Sequence, residues 1–272
     1  MSVNSSNSPD KRVSQEIKKR PVRQWWLLIM LPAWVIIGFI FARELLLVAV
    51  TLLQSAGVDL DAVNGTVLQT TLAACIYILS ASIVIGLPWV VKKSRTTWQD
   101  LGLQRLPSWK DFGLAPAAFI TYLFASGLTV YVVMRLFPGF DVSEPQDVGF
   151  TGISQQYEYI LAFITLVVIA PVAEEVLLRG YLYGKLRRVV PLWTAIVATS
   201  ILFGLLHTQV SETGEISGVN VAVDVFVLSV AMCGLREITG SIWAGILLHM
   251  LKNGLAFYFL FINPSILSTI GG

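Results

Sequence analysis

Long apolar stretches separated by short polar clusters set the pattern of this chain. They run over residues 25–42, 45–53, 67–91, 112–137, 157–178, 192–206, 219–235 and 241–262. A helix needs about 20 mostly apolar residues to cross a bilayer, whereas barrel strands alternate over ~10 residues, a pattern absent here. The pattern predicts seven spanning helices. Residues 45–53, which follow the pair Arg43 and Glu44, then continue the first helix or form a short interfacial segment. If they are half of a hairpin, the count is eight.

Composition supports the same class. Only 13% of the 272 residues are charged and 55% are hydrophobic, against roughly a quarter charged in soluble domains. That is too little charge to coat a soluble protein of this size, so the expected fold is an all-α, polytopic transmembrane helix bundle. Basic clusters at Lys11, Arg12, Lys18, Lys19, Arg20 and Arg23, at Lys92, Lys93 and Arg95, and at Lys185, Arg187 and Arg188 alternate with acidic loops. The acidic loops carry Asp59 and Asp61, then Asp141, Glu144 and Asp147, then Glu212 and Glu215. Basic loops stay in the cytoplasm, which places the amino terminus there. Residues 1–24 read as a disordered basic head, 25–156 as amino-terminal transmembrane helices, 157–262 as a second transmembrane unit and 263–272 as a tail.

The head has no small-x-small cleavage site after the first apolar run, so it does not read as a cleaved signal peptide. Cys75 and Cys233 both fall inside spans and read as packing residues rather than a disulfide. No phosphate-binding loop, dinucleotide fingerprint or basic-aromatic surface is present, so nucleic acid is not an expected partner. The oligomeric state stays open.

Ionisable groups at membrane depth are costly and mark function by default. They gather late in the chain. Glu174 and Glu175 are adjacent in an apolar run, and Arg179 follows Glu175 at i+4, on the same helix face. An ion pair of that kind is often structural, but a second carboxylate beside it has no partner on its own helix. The only two histidines, His207 and His249, lie in or at the end of late spans, and Asn253 follows His249 at i+4. Lys252 is expected to face elsewhere. If the helix holding Glu174 turns at Pro191, Glu174 lies 191 − 174 = 17 residues before the turn and His207 lies 207 − 191 = 16 after it. At ~1.5 Å per residue both stand about 25 Å from that turn and are level. For His249 to join them, the two helices flanking Pro191 are expected to be the longest pair. Gly180 and Gly184, spaced as small-xxx-small, are expected to let another helix approach closely.

Glu174-Glu175-Val-Leu-Leu-Arg179, Phe203-Gly-Leu-Leu-His207 and His249-Met-Leu-Lys-Asn253 together resemble the three ordered motifs of the CAAX-protease and bacteriocin-processing family of intramembrane endopeptidases. That family includes type II prenyl-protein endopeptidases and bacterial Abi proteins. Trp98-Gln-Asp-Leu-Gly-Leu103 resembles a further, less specific family feature. The resemblance implies that residues 157–262 are the catalytic core, and that a peptide bond in a membrane-associated peptide or protein is hydrolysed. Carried over, Glu174 activates water, His207 positions it, and His249 with Asn253 stabilises the oxyanion. Glu175 and Arg179 support the site and Phe203 packs beside His207. Glu174, His207 and His249 are the set that zinc would use, but no H-E-x-x-H helix exists and a glutamate-water mechanism needs no ion, so no metal is expected. The expected location is a bacterial plasma membrane or an organelle membrane. A non-catalytic scaffold or immunity protein of the same family and a proton-coupled transporter are the competing readings.

Overall fold

A computed structural model of the protein describes residues 24–142, 148–210 and 216–265. Nearly all of the basic head, Glu144, Asp147, Glu212 and Glu215 of the acidic loops, and most of the tail lie outside the described residues. The helices are α1 Leu27–Ser55, α2 Gly65–Lys92, α3 Trp98–Leu101, α4 Trp109–Leu136, α5 Gln156–Val189, α6 Leu192–Leu205, α7 Val219–Thr239 and α8 Trp243–Ile262. A two-stranded ribbon, β1 Gln209–Val210 antiparallel to β2 Ile216–Ser217, joins α6 to α7.

Among the described residues seven helices cover the seven expected apolar segments, and residues 45–53 continue α1 without a break. Five of the seven, α1, α2, α4, α5 and α8, are long and apolar enough to cross a membrane. The expectation of a long α5–α6 pair is corrected. α5 has 34 residues, but α6 has only 14, about 21 Å of helix. It ends because the chain must turn at Leu206 toward the ribbon, and His207 sits just past its last turn.

Local chemistry explains the helix ends. The Asn64 side chain accepts the backbone N–H groups of Thr66 and Val67 to start α2, and its amide donates to Glu158 Oε1 at 2.6 Å, tying the beginnings of α2 and α5 together. Thr97 and Asp100 form a capping box on α3, and Ser108 and Asp111 form another on α4. Pro171 lies inside α5, where it removes a ladder hydrogen bond and its ring crowds the preceding turn. The helix is wound as a π-helix just before it, over Ile164–Ile169, and again over Val176–Leu182. The six residues between, Ala170–Glu175, carry both glutamates.

α5 is the core of the bundle. Leu177, Leu178, Leu182 and Leu186 are fully buried against Phe203 of α6, Leu228 and Met232 of α7 and Leu248 of α8. The expected close approach at Gly180 and Gly184 is made by the short helix α3. A Cβ on either glycine would come within 3.0 Å of the carbonyl oxygen of Leu101 or Asp100. The Trp98–Leu103 segment is thereby docked on α5, and Ser241 Oγ donates to the Gly102 carbonyl at 2.7 Å from the start of α8.

Candidate active site

Two helices and the end of a third deliver the polar groups. Glu174 and Glu175 come from the middle of α5, His207 from the end of α6, and His249 and Asn253 from successive turns of α8. Glu174, His207, His249 and Asn253 all line one cavity of about 140 Å³. His249 Nε2 lies 3.9 Å from Glu174 Oε2, and its Nδ1 lies 3.6 Å from Glu175 Oε1. The imidazole therefore stands between the two carboxylates that the sequence places side by side. Adjacent residues on α5 point about 100° apart, so they approach α8 from different sides.

The two glutamates have separate partners. Glu175 is fully buried and takes Arg179 Nη1 at 2.6 Å. It lies so close to α8 that a Cβ on Gly245 would come within 3.0 Å of its Oε2. The Arg179 guanidinium, also fully buried, stacks on the Phe203 ring, 4.3 Å from its centroid. The other contacts of that ring are edge-on to both imidazoles, at 4.6 Å to His207 and 5.7 Å to His249. Glu175 and Phe203 thus brace the histidines directly, Arg179 braces them through these two, and all three reach Glu174 only through the packed helices.

His207 Nδ1 lies 2.8 Å from the Phe203 carbonyl oxygen. A carbonyl only accepts, so Nδ1 carries the hydrogen and Nε2 is left as the lone-pair nitrogen. The Asn253 amide donates to the Leu166 carbonyl at 2.9 Å, which fixes its plane and leaves its second N–H. That carbonyl belongs to the π-wound stretch of α5 ahead of Pro171, and its partner five residues on would be Pro171, which has no N–H to donate.

Three further residues take part that the sequence reading passed over or misplaced. Tyr77 of α2 donates its hydroxyl to Glu174 Oε1 at 2.6 Å and lines the cavity. Lys252, expected to face elsewhere, lines it too, with Nζ 3.7 Å from Asp224 of α7. Asp224 in turn accepts the hydroxyls of Tyr122 and Ser126 of α4, each at 2.6 Å. The signal for Asp224 was available, a carboxylate inside the apolar run 219–235. No comparable signal singled out Tyr77 among the aromatic residues of its span.

Among the described residues no group of three or more His, Cys, Asp or Glu side chains is placed to hold a metal ion. Asn253 and Glu174 are each already engaged by a neutral partner. Cys75 is half-buried, Cys233 is buried, and neither is disulfide-bonded.

No curated protein and no solved structure gives a match. Residues 156–255 match the family model described as Type II CAAX prenyl endopeptidase Rce1-like. This interval runs from the first residue of α5 to beyond Asn253 and so includes all three motifs. Most of the segment that builds the cavity is therefore similar to the Rce1-like type II CAAX prenyl endopeptidase family, and with five helices long and apolar enough to cross a membrane the chain is a multi-pass helical membrane protein.

Proposed function

We propose that this protein is a glutamic-type intramembrane endopeptidase that hydrolyses a peptide bond in a membrane-associated peptide or protein. The observation that carries the reading is the convergence of Glu174, His207, His249 and Asn253 on one small cavity, with Glu174 and His249 3.9 Å apart. Tyr77 occupies Glu174 Oε1, leaving Oε2 to take a proton. A water held between Oε2 and His207 Nε2 gives that proton to Glu174 as its oxygen attacks the carbonyl carbon. The carbonyl π electrons move to oxygen, and hydrogen bonds from His249 and the second Asn253 N–H stabilise the oxyanion. Collapse breaks the C–N bond, and Glu174 returns its proton to the leaving nitrogen. No metal is required by this sequence of steps.

The bundle reads as seven crossings with the amino terminus in the cytoplasm. Labelling of residues 185–188 by an impermeant reagent applied to intact cells would overturn that orientation.

The decisive comparison is between membranes from cells expressing the wild-type chain and Glu174→Gln, scored for new peptide termini by mass spectrometry. Termini present with wild type and absent with the variant are expected. Purified protein should keep its rate after strong chelation. Identical termini in both membranes would remove the protease reading, and stoichiometric zinc lost together with activity would remove the metal-free mechanism.

A further inference from the structure

A second, larger cavity lies at the other side of α5 from the catalytic one and shares no lining residue with it. It is a groove of about 620 Å³ between the start of α1, the end of α2 and the end of α5. Its walls are apolar, with Trp26, Met30, Trp34, Leu87 and Val91 among them. Its rim carries Lys92, Lys185 and Arg188, together with the Ser94 hydroxyl. Of these cations, Arg188 is paired with Asp100. Three cations less that one carboxylate leave two positive charges around an apolar slot.

The depth of the groove says what kind of molecule enters it. Trp26 and Trp89 are largely exposed at this end of the bundle, and Arg95 lies over the Trp89 ring at 5.3 Å. Exposed tryptophans and arginines at the ends of apolar helices mark the level of the lipid headgroups. The rim cations therefore stand at headgroup height, while the walls below them stand at acyl-chain height. The chain's own amino-terminal residues are poor candidates for the slot. They carry Lys11, Arg12, Lys18, Lys19, Arg20 and Arg23 against Asp10 and Glu16, and so repel the rim.

We infer that this groove is a binding site for an anionic phospholipid, its phosphate held by Lys92 and Lys185 with Ser94, and an acyl chain laid along Trp34, Leu87 and Val91. The Lys185 ammonium lies over the Tyr181 ring, with Nζ 4.9 Å from the centroid, and both residues line the slot. Because α5 forms one wall here and carries Glu174 further along, the lipid steadies the same helix that presents the glutamate.

The test uses the full chain purified in mild detergent and equilibrated with phosphatidylglycerol or phosphatidylcholine of matched acyl chains. Bound lipid is counted by native mass spectrometry. Wild type is expected to retain phosphatidylglycerol in preference, and the double variant Lys92→Gln, Lys185→Gln to lose about tenfold or more of that preference. Lys92→Arg with Lys185→Arg should keep it, which separates loss of charge from loss of folding. Inorganic phosphate should not displace the lipid, since it has nothing to place on the apolar walls. Equal retention of the two lipids by wild type would overturn the proposal, as would an unchanged preference in the glutamine double variant. Phosphatidylglycerol bound only after removal of residues 1–23 would assign the groove to the chain's own head and overturn it equally.

Discussion

Helices α1, α2 and α4 and helices α5 to α8 use their apolar residues for opposite purposes. In the most apolar window of α1, α2 and α4 only 17%, 11% and 6% of residues are buried within the protein, against 33% for α5 and 28% for α8. The outer helices turn large side chains such as Phe41, Leu52, Phe124 and Leu128 outward, as a lipid-facing surface requires. The inner helices turn theirs against each other and enclose Glu175, Arg179 and His249, all essentially fully buried. A charge in that setting must be matched by a partner at short range, because neither water nor lipid can solvate it. Hence the buried ionisable groups are concentrated where protein surrounds protein. The family match over residues 156–255 follows the same boundary.

The division is not complete, and the exceptions are informative. Tyr77 reaches from α2 to Glu174, and Tyr122 and Ser126 reach from α4 to Asp224, which holds Lys252. The outer helices thus act on the site through hydroxyl groups at the end of otherwise apolar contacts. Neutral hydroxyls cost far less to carry on a lipid-exposed helix than a charge.

The sharpest way to break this comparison is to unpair the inner helices. Arg179→Leu leaves the Glu175 carboxylate buried beside His249 with no cation. The expected loss is about 3–5 kcal/mol of stability, read as a lower unfolding midpoint in detergent. The double variant Arg179→Leu, Glu175→Leu should recover most of it. An equally large loss in the double variant would show that the pairing of Glu175 with Arg179 is not what the stability of the inner helices rests on.

A smaller effect tests whether the outer helices matter for chemistry. Tyr77→Phe removes one hydrogen bond to a charged oxygen, which should lower kcat about tenfold with little change in KM or stability. A variant with wild-type kcat would confine the site to α5 to α8.

The smallest effect lies at the joint between the two regions. The Thr97 backbone N–H and the Arg188 guanidinium hold the Asp100 carboxyl down to about 2. A carboxyl whose folded value lies below its unfolded value near 3.8 contributes stability that is complete above pH 4. The contribution fades as pH falls toward 2. Asp100→Asn should therefore cost a fraction of a kcal/mol at neutral pH, as partly exposed pairs do, and nothing near pH 2. A cost that does not change across that range would show that the charge plays no part in docking α3 on α5.

The sequence determined the class of protein and the identity of the polar groups that line the candidate site. Apolar runs of fixed length dictate helices in a bilayer, because every backbone N–H and C=O must be satisfied within its own segment. Residues 67–91 and 112–137 accordingly reappear as α2 and α4 with ends shifted by a few residues. Ionisable residues are rare enough in such runs that Glu174, Glu175, His207 and His249 stand out by themselves, and counting from Pro191 put Glu174 and His207 at one depth. Direction around each helix was another matter. Two π-wound stretches in α5 alter the phase of its side chains, so a period of 3.6 cannot say which neighbour each glutamate meets. That Glu174 turns to Tyr77 and Glu175 to Arg179, with His249 between them, was decided by tertiary packing. So was the turn of Lys252 toward the cavity, since the pull came from Asp224 on another helix. Spacing along a chain specifies height on a helix, but only the packed neighbours specify which way a side chain of that height can find a partner.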